Sequence, residues 1–77
     1  MPIVHREGPF RFRIWPADHE PPHVHVYNGD GMCIIEIETA RLRKVSGMRG
    51  PDADDATVIV IHNRAKLLAE WRRIHGV

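Results

Sequence analysis

Several features that would place this chain in a protein class at once are scarce or missing. Cys33 is the single cysteine among 77 residues, which excludes an internal disulfide and means that a zinc site would need other ligands. The longest uninterrupted apolar run, Val58 to Ile61, is too short to cross a bilayer, and no glycine-rich phosphate loop occurs. Met1 to Glu7 lack the apolar run of a signal peptide. We therefore expect a cytoplasmic protein without membrane-spanning segments.

The chain also has little net charge. Its 11 basic and 10 acidic residues leave a formal charge of +1, which argues against sequence-independent nucleic-acid binding as the main task. A chain of 77 residues is expected to form one domain, residues 1–77, with a modest core. A domain of this size often gains stability from a partner or from self-association, so we expect one or the other.

Alternation of apolar and polar residues predicts several β-strands. Phe10, Phe12 and Ile14 alternate with Arg11 and Arg13, and Pro16 ends the run. The segment from Asn28 to Gly31 contains Asn-Gly and Asp-Gly, a strong hairpin signal between two further apolar segments. We predict strands over residues 2–6, 10–15, 23–27 and 32–38, and leave residues 39–50 open as a further strand or a loop with one helical turn.

A helix is predicted from Asp52 to about His75, because Pro51 precedes acidic residues that stabilise a helix start and Gly76 follows its end. At 100° per residue one stripe carries most of its apolar residues, and we assign that stripe to the core: Thr57, Val60, Ile61, Arg64, Leu67, Leu68, Trp71 and Ile74. The predicted fold class is α+β, with a small antiparallel sheet of three or four strands packed against one long C-terminal helix.

Half of the six histidines lie in one short segment, at His19, His23 and His25, around the Pro21-Pro22 pair. Side chains alternate along a strand, so His23 and His25 should project from the same face. Histidine titrates near neutral pH and can transfer protons, bind metals or hydrogen-bond phosphate. This segment is therefore the first place to look for function.

Two chemistries fit the segment. His23 and His25 could bind a divalent metal with His19 as a third ligand, leaving a position for water, while Asp18 and Glu20 flank them as further carboxylates. Alternatively, a metal-free ribonuclease site could use His23 or His25 as acid or base. Arg11 and Arg13 would then hold phosphate, provided that their strand pairs beside the histidines.

Four features occur in order along the chain: the Phe10-Arg11-Phe12 strand, the segment Asp18-His19-Glu20-Pro21-Pro22-His23-Val24-His25-Val26, the glycine-containing hairpin and a final helix with Leu67-Leu68-x-x-Trp71. In this order they resemble a small bacterial domain of unknown function, family 4160. The resemblance implies a small prokaryotic protein that often occurs beside another small domain, as in toxin–antitoxin pairs. It also implies that His19, His23 and His25 are the functional residues.

We therefore expect a component of a toxin–antitoxin-like module that acts on RNA through a histidine surface, with ribonuclease-type activity. The alternative is a non-catalytic partner-binding or regulatory module whose histidines bind a metal or only organise the Pro21-Pro22 loop. No cofactor follows from the sequence, and a divalent metal belongs to the alternative. The expected partner is a small protein encoded nearby or a second copy of the chain, with RNA as a further partner.

Overall fold

The computed structural model describes residues 3–76, in which five β-strands precede two α-helices. The strands are β1 (Ile3–Glu7), β2 (Phe10–Arg13), β3 (His23–Asn28), β4 (Gly31–Glu36) and β5 (Leu42–Ser46). The helices are α1 (Gly50–His62) and α2 (Arg64–His75). The predicted strand start at Pro2 lies outside the described residues.

The strands form one antiparallel meander in the order β1-β2-β3-β4-β5. Asn28 pairs with Gly31, and Gly29 supplies a φ of 59° for the turn between them, so the predicted hairpin is confirmed. Gly31 also meets the loop after β5, because a Cβ placed there would lie 2.7 Å from the carbonyl oxygen of Gly47. The hairpin and that loop are therefore in direct backbone contact.

The predicted α+β class is confirmed, whereas the strand and helix counts match only in outline. Residues left open in the sequence form the fifth strand, β5, on one edge of the sheet. Every side chain of β5 is exposed, so the strand has no apolar alternation and is held by backbone pairing with β4. The predicted strand over residues 32–38 ends early, at Glu36, and the amide of Ile37 donates instead to the carbonyl oxygen of Pro22 at 3.0 Å.

The predicted single helix is divided at Asn63. The side-chain amide of Asn63 donates to the carbonyl oxygen of Ile59 at 2.8 Å, and its backbone amide donates to the same oxygen at 3.0 Å. Asparagine that bonds to nearby backbone in this way competes with regular helical geometry, which explains the break. Within residues 3–76 no helix is long and apolar enough to cross a membrane.

The core lies between one sheet face and the two helices. The helix side chains buried there are Ala53, Ala56, Val60, Leu67 and Trp71. The assignment of Ile61 to this face was wrong: Ile61 is 44% exposed, while Ile59 packs against the core. The buried face of α1 includes two small alanines, Ala53 and Ala56. An apolar stripe drawn through both helices without the break at Asn63 is therefore rotated away from this buried face.

The other sheet face carries partly exposed residues in two rows, because residues directly opposite in an antiparallel sheet share a face. The first row is Arg13, His25, Ile34 and Lys44, and the second is Arg6, Arg11, Tyr27 and Met32. We call these residues the open face. Its cations come from three strands, and neither row contains a carboxylate, whereas the neighbouring row on the same sheet face pairs His23 with Glu36.

Candidate functional site

The loop between β2 and β3 presents the carboxylate of Asp18. The amide of Asp18 donates to the carbonyl oxygen of Trp15 at 3.0 Å, which closes a short turn. The amide of Trp15 in return donates to Oδ2 of Asp18 at 2.9 Å. One carboxylate oxygen is thereby held by the backbone, and Oδ1 is left to face β3.

His23 and His25 project from β3 with their ring centroids 5.3 Å apart. Nδ1 of His23 lies 2.9 Å from the carbonyl oxygen of Pro21. A carbonyl only accepts, so this contact places a proton on Nδ1 and leaves Nε2 as the nitrogen with a lone pair in the neutral ring. The ring of Trp15 meets that of His25 edge-on, with centroids 6.4 Å apart.

Asp18 and the two histidines converge on one point. Oδ1 of Asp18 lies 3.3 Å from Nε2 of His25 and 3.6 Å from Nε2 of His23. The three side chains retain between 10% and 17% of their exposure. One ligand atom from each of them lies within 4.8 Å of the others, so these residues, here named the Asp18–His23–His25 cluster, can share one ion or one polar ligand.

The last turn of α2 holds the loop that carries Asp18. The ring of His75 lies between two backbone carbonyl oxygens, with Nδ1 2.9 Å from Trp71 and Nε2 3.1 Å from Asp18. Trp71 stacks on His75 at 3.9 Å between ring centroids, and its indole N–H donates to Oε2 of Glu20 at 3.2 Å. The end of the chain therefore helps to position a loop far away in sequence.

A cleft of about 450 Å³ opens beside the cluster. Its polar lining consists of Asp18, His19, Glu20, His23, Arg43 and Lys44. Nε of Arg43 lies 3.7 Å from Oε2 of Glu36. The other carboxylate oxygen of Glu36, Oε1, accepts a hydrogen bond from the hydroxyl of Thr39. The cleft thus brings two cations of β5 next to the cluster and to the carboxylates of Asp18 and Glu20.

The residues selected from the sequence are only partly brought together. His23 and His25 join the cluster, whereas His19 is exposed and lines the cleft, and Asp18 takes the third position that the sequence interpretation gave to His19. Arg13 lies directly opposite His25 in the sheet register, and Arg11 lies opposite Tyr27. The strand of Arg11 and Arg13 therefore does pair beside the histidines, and both arginines belong to the open face.

Sequence reasoning missed four residues of the site. Arg43 and Lys44 lie on a strand without apolar periodicity, so the sequence has no signal that places them beside the cluster. Trp71 was predicted to lie in the core and His75 at the helix end, and both predictions are correct. Their hydrogen-bond contacts with the loop, however, depend on the packing of α2. Long-range contacts of this kind have no local sequence pattern.

Cys33 lies outside the site and inside the core. Its side chain is fully buried on β4, and this burial raises the pKa of the thiol to about 11. A thiol with that pKa stays protonated at neutral pH, and the thiolate is the reactive form. Cys33 is therefore a structural residue.

Comparison with known proteins gives a family and no relative of known function. No curated protein matches the chain, and no solved structure matches it. Residues 10–72, which include β2 to β5, α1 and most of α2, match a family described as a domain of unknown function, DUF4160. The match spans the Asp18–His23–His25 cluster, and the chain belongs to the DUF4160 family.

Proposed function

We propose that this protein is the RNA-acting component of a toxin–antitoxin-like module. In this proposal the open face binds single-stranded RNA and the Asp18–His23–His25 cluster acts on a phosphodiester. The observation that carries the proposal is the pairing of Arg13 with His25 in the sheet register. It puts a phosphate-binding cation beside the site without any rearrangement of the chain.

The charge of the open face supports RNA as the ligand. Arg6, Arg11, Arg13 and Lys44 lie on it, and among residues 3–76 no carboxylate lies within ion-pair distance of any of them. Cations without a carboxylate partner are available for phosphates, so one face of the sheet is basic although the net charge of the chain is low.

The apolar residues of the open face support a single-stranded ligand. The guanidinium carbon of Arg13 lies 5.8 Å from the ring centroid of Tyr27, and Met32 lies opposite Tyr27. Aromatic rings on an open sheet stack with unpaired bases, while neighbouring cations follow the backbone. A duplex would conceal its bases, so unpaired RNA fits this surface better.

The cleft adjoins the open face, which supports a reaction on RNA that is bound there. Ile34 and Lys44 belong to the open face and also line the cleft. RNA on the open face would therefore reach the cluster through residues common to both. Arg43 and Lys44 would hold the phosphate there, and the cluster would supply the reacting groups.

A binding experiment tests the RNA proposal. Fluorescence anisotropy with a labelled single-stranded RNA is measured for the wild type, for Arg11→Gln/Arg13→Gln and for Arg72→Gln, a matched control on α2. We expect the open-face variant to lose about tenfold or more in affinity, because each cation contacts phosphate, and the control to bind like the wild type. Equal loss in both variants, or tighter binding of an acidic peptide than of RNA, contradicts the proposal.

A growth experiment tests the module. The wild type and His25→Ala are expressed alone and together with the protein encoded by the neighbouring gene, and growth and cellular RNA are compared. We expect the wild type alone to arrest growth and degrade RNA, His25→Ala to do neither, and the neighbour to suppress both effects. Unchanged growth and intact RNA with the wild type alone would speak against a toxin-like role.

A further inference from the structure

We propose that Asp18, His23 and His25 bind one divalent transition-metal ion. The ligand set would be Oδ1 of Asp18 and Nε2 of both histidines, with the remaining coordination positions facing the cleft. This inference deepens the proposed function by naming the cofactor of the same site. Its catalytic consequence rests on that function, whereas metal binding stands without it.

The interatomic distances in the cluster fit co-ligands of an ion better than an ion pair. Metal–ligand bonds of about 2.1 Å separate neighbouring ligand atoms by about 3.0 Å in octahedral and about 3.4 Å in tetrahedral geometry. Oδ1 of Asp18 lies 3.3 Å from one histidine nitrogen and 3.6 Å from the other. Nε2 of His25 is within hydrogen-bond distance of Oδ1 of Asp18, but both histidine contacts are longer than the about 2.7–2.9 Å of a charge-assisted hydrogen bond.

The groups behind the ligands orient them for an ion. Nδ1 of His23 donates to the carbonyl oxygen of Pro21, which is the contact that metal-bound histidines commonly make through their other nitrogen. The amide of Trp15 holds Oδ2 of Asp18, so Oδ1 alone points to the histidines. Nε2 of His75 lies 3.1 Å from the backbone oxygen of Asp18, so the last turn of α2 packs directly on the loop that carries the carboxylate.

The same contacts disfavour a metal-free role for His23. Both of its nitrogens face fixed protein atoms, the carbonyl oxygen of Pro21 and the carboxylate of Asp18. A general acid or base needs one nitrogen directed at the substrate. As a metal ligand, His23 would bind the ion through Nε2, which already points towards Asp18. The side of the ion that faces the cleft would remain open for substrate.

The donor set defines the class of ion. Two imidazoles and one carboxylate suit zinc, iron, cobalt or nickel, whereas magnesium and calcium prefer oxygen ligands. Three protein ligands with open positions are typical of catalytic rather than structural sites. A bound ion would act as a Lewis acid on a phosphate oxygen beside Arg43 and Lys44. The ribose 2′-hydroxyl would then attack phosphorus and give its proton to water, the bond to the 5′-oxygen would break, and the leaving 5′-oxygen would take up a proton from water.

Metal titration of the full chain, purified without a histidine tag and stripped with a chelator, tests the site. Zinc binding is followed by calorimetry, and cobalt binding by visible absorption. The variants are Asp18→Asn, which keeps an oxygen for the amide of Trp15, and His25→Gln. His62→Gln is the matched control, because His62 is an exposed histidine of α1 outside the cluster and outside the cleft lining.

We expect one equivalent of zinc in the wild type and in the control, with a rise in Tm on binding. Asp18→Asn and His25→Gln should lose more than about a hundredfold in affinity, since loss of an outer partner alone costs about 10–100-fold. Circular dichroism shows whether each cluster variant is folded. If one of them is unfolded, the zinc affinity of the other tests the site. No zinc bound by the wild type, or equal binding in a folded cluster variant, overturns the metal site.

The catalytic consequence is tested separately from binding. RNA cleavage is measured with the stripped protein, with added zinc and with added magnesium. Activity restored by zinc supports the inference, whereas full activity of the stripped protein overturns its catalytic part and leaves the RNA function intact. Tight zinc binding without RNA binding or cleavage would support the metal site and contradict the proposed function.

Discussion

Nε2 of His75, in the last turn of α2, lies 3.1 Å from the backbone oxygen of Asp18 in the loop between β2 and β3. The same ring is within 2.9 Å of the carbonyl oxygen of Trp71 through Nδ1 and stacks on the indole. The C-terminal helix therefore does more than cover the sheet. It ties down the loop from which the cluster takes its carboxylate.

Replacing His75 should weaken ligand binding more than folding. His75→Phe keeps an aromatic ring on Trp71 but has no ring nitrogen to donate to either carbonyl oxygen, so the loop of Asp18 loses a tether. We expect zinc affinity to fall by about tenfold, as is typical for partners behind a metal ligand. The free energy of unfolding should fall by only about 1 kcal/mol, the usual contribution of a hydrogen bond.

Calorimetry and urea denaturation measure the two effects of this substitution. His62→Phe is the control, because His62 is an exposed histidine in the last turn of α1. His75→Gln, which can still donate one hydrogen bond, should recover part of the affinity. An unchanged zinc affinity in His75→Phe together with a large loss of stability would mean that His75 has a structural role only.

Replacement of Gly31 by a larger residue should destabilise the protein. A Cβ at Gly31 would meet the backbone oxygen of Gly47 at 2.7 Å, so alanine must displace either β4 or the loop after β5. Gly31→Ala should lower the free energy of unfolding by about 1–3 kcal/mol, the usual range for overpacking. Gly50→Ala, at an open position, should be neutral or stabilising by up to about 1 kcal/mol. Urea denaturation compares the two, and equal stabilities would contradict the close contact.

Local patterns were sufficient for β2, β3 and the hairpin, because each has strict alternation or turn residues with positive φ. They were insufficient for β5, whose side chains are all exposed and whose position depends on pairing with β4. The break between α1 and α2 depends on one side chain, that of Asn63, competing for a carbonyl oxygen. Propensity averaged over a helix does not register such a contact.

The residues of the candidate site, too, could be predicted from the sequence only in part. Alternation along β3 was enough to place His23 beside His25. The sequence could not choose between Asp18 and His19 as the third residue, because the turn closed between Trp15 and Asp18 decides which of them faces β3. Arg43, Lys44 and His75 reach the site only through the complete fold, since they come from the edge strand and the final helix.

The salt dependence of RNA binding should report how many open-face cations contact phosphate. For single strands, log K falls against log salt by about 0.7 for each phosphate contact. Arg11→Gln/Arg13→Gln removes two cations that face no carboxylate among residues 3–76, so the slope should become shallower by about 1.4. Arg72→Gln should leave it unchanged. An affinity loss without a change of slope would mean that the arginines stabilise the protein rather than contact RNA.

Cys33 should make the stability of the protein sensitive to alkali. Burial raises the pKa of its thiol from 9.0 to about 11, so the folded state keeps the proton that the unfolded state loses first. This contribution is fully present below about pH 9 and is lost as the pH rises towards about 11. Two pKa units correspond to a contribution on the order of 3 kcal/mol.

Cys33→Ala isolates this contribution, because tyrosine and lysine titrate in both proteins and cancel in the difference. The variant should be less stable than the wild type at pH 8, since it leaves a small cavity in the core. The difference should shrink or reverse between pH 9 and about pH 11, where the buried thiol of the wild type is forced to ionise. Urea denaturation at each pH measures it. A difference that stays constant across this range would mean that the thiol ionises as easily in the folded chain as in the unfolded one, and that its burial is only transient.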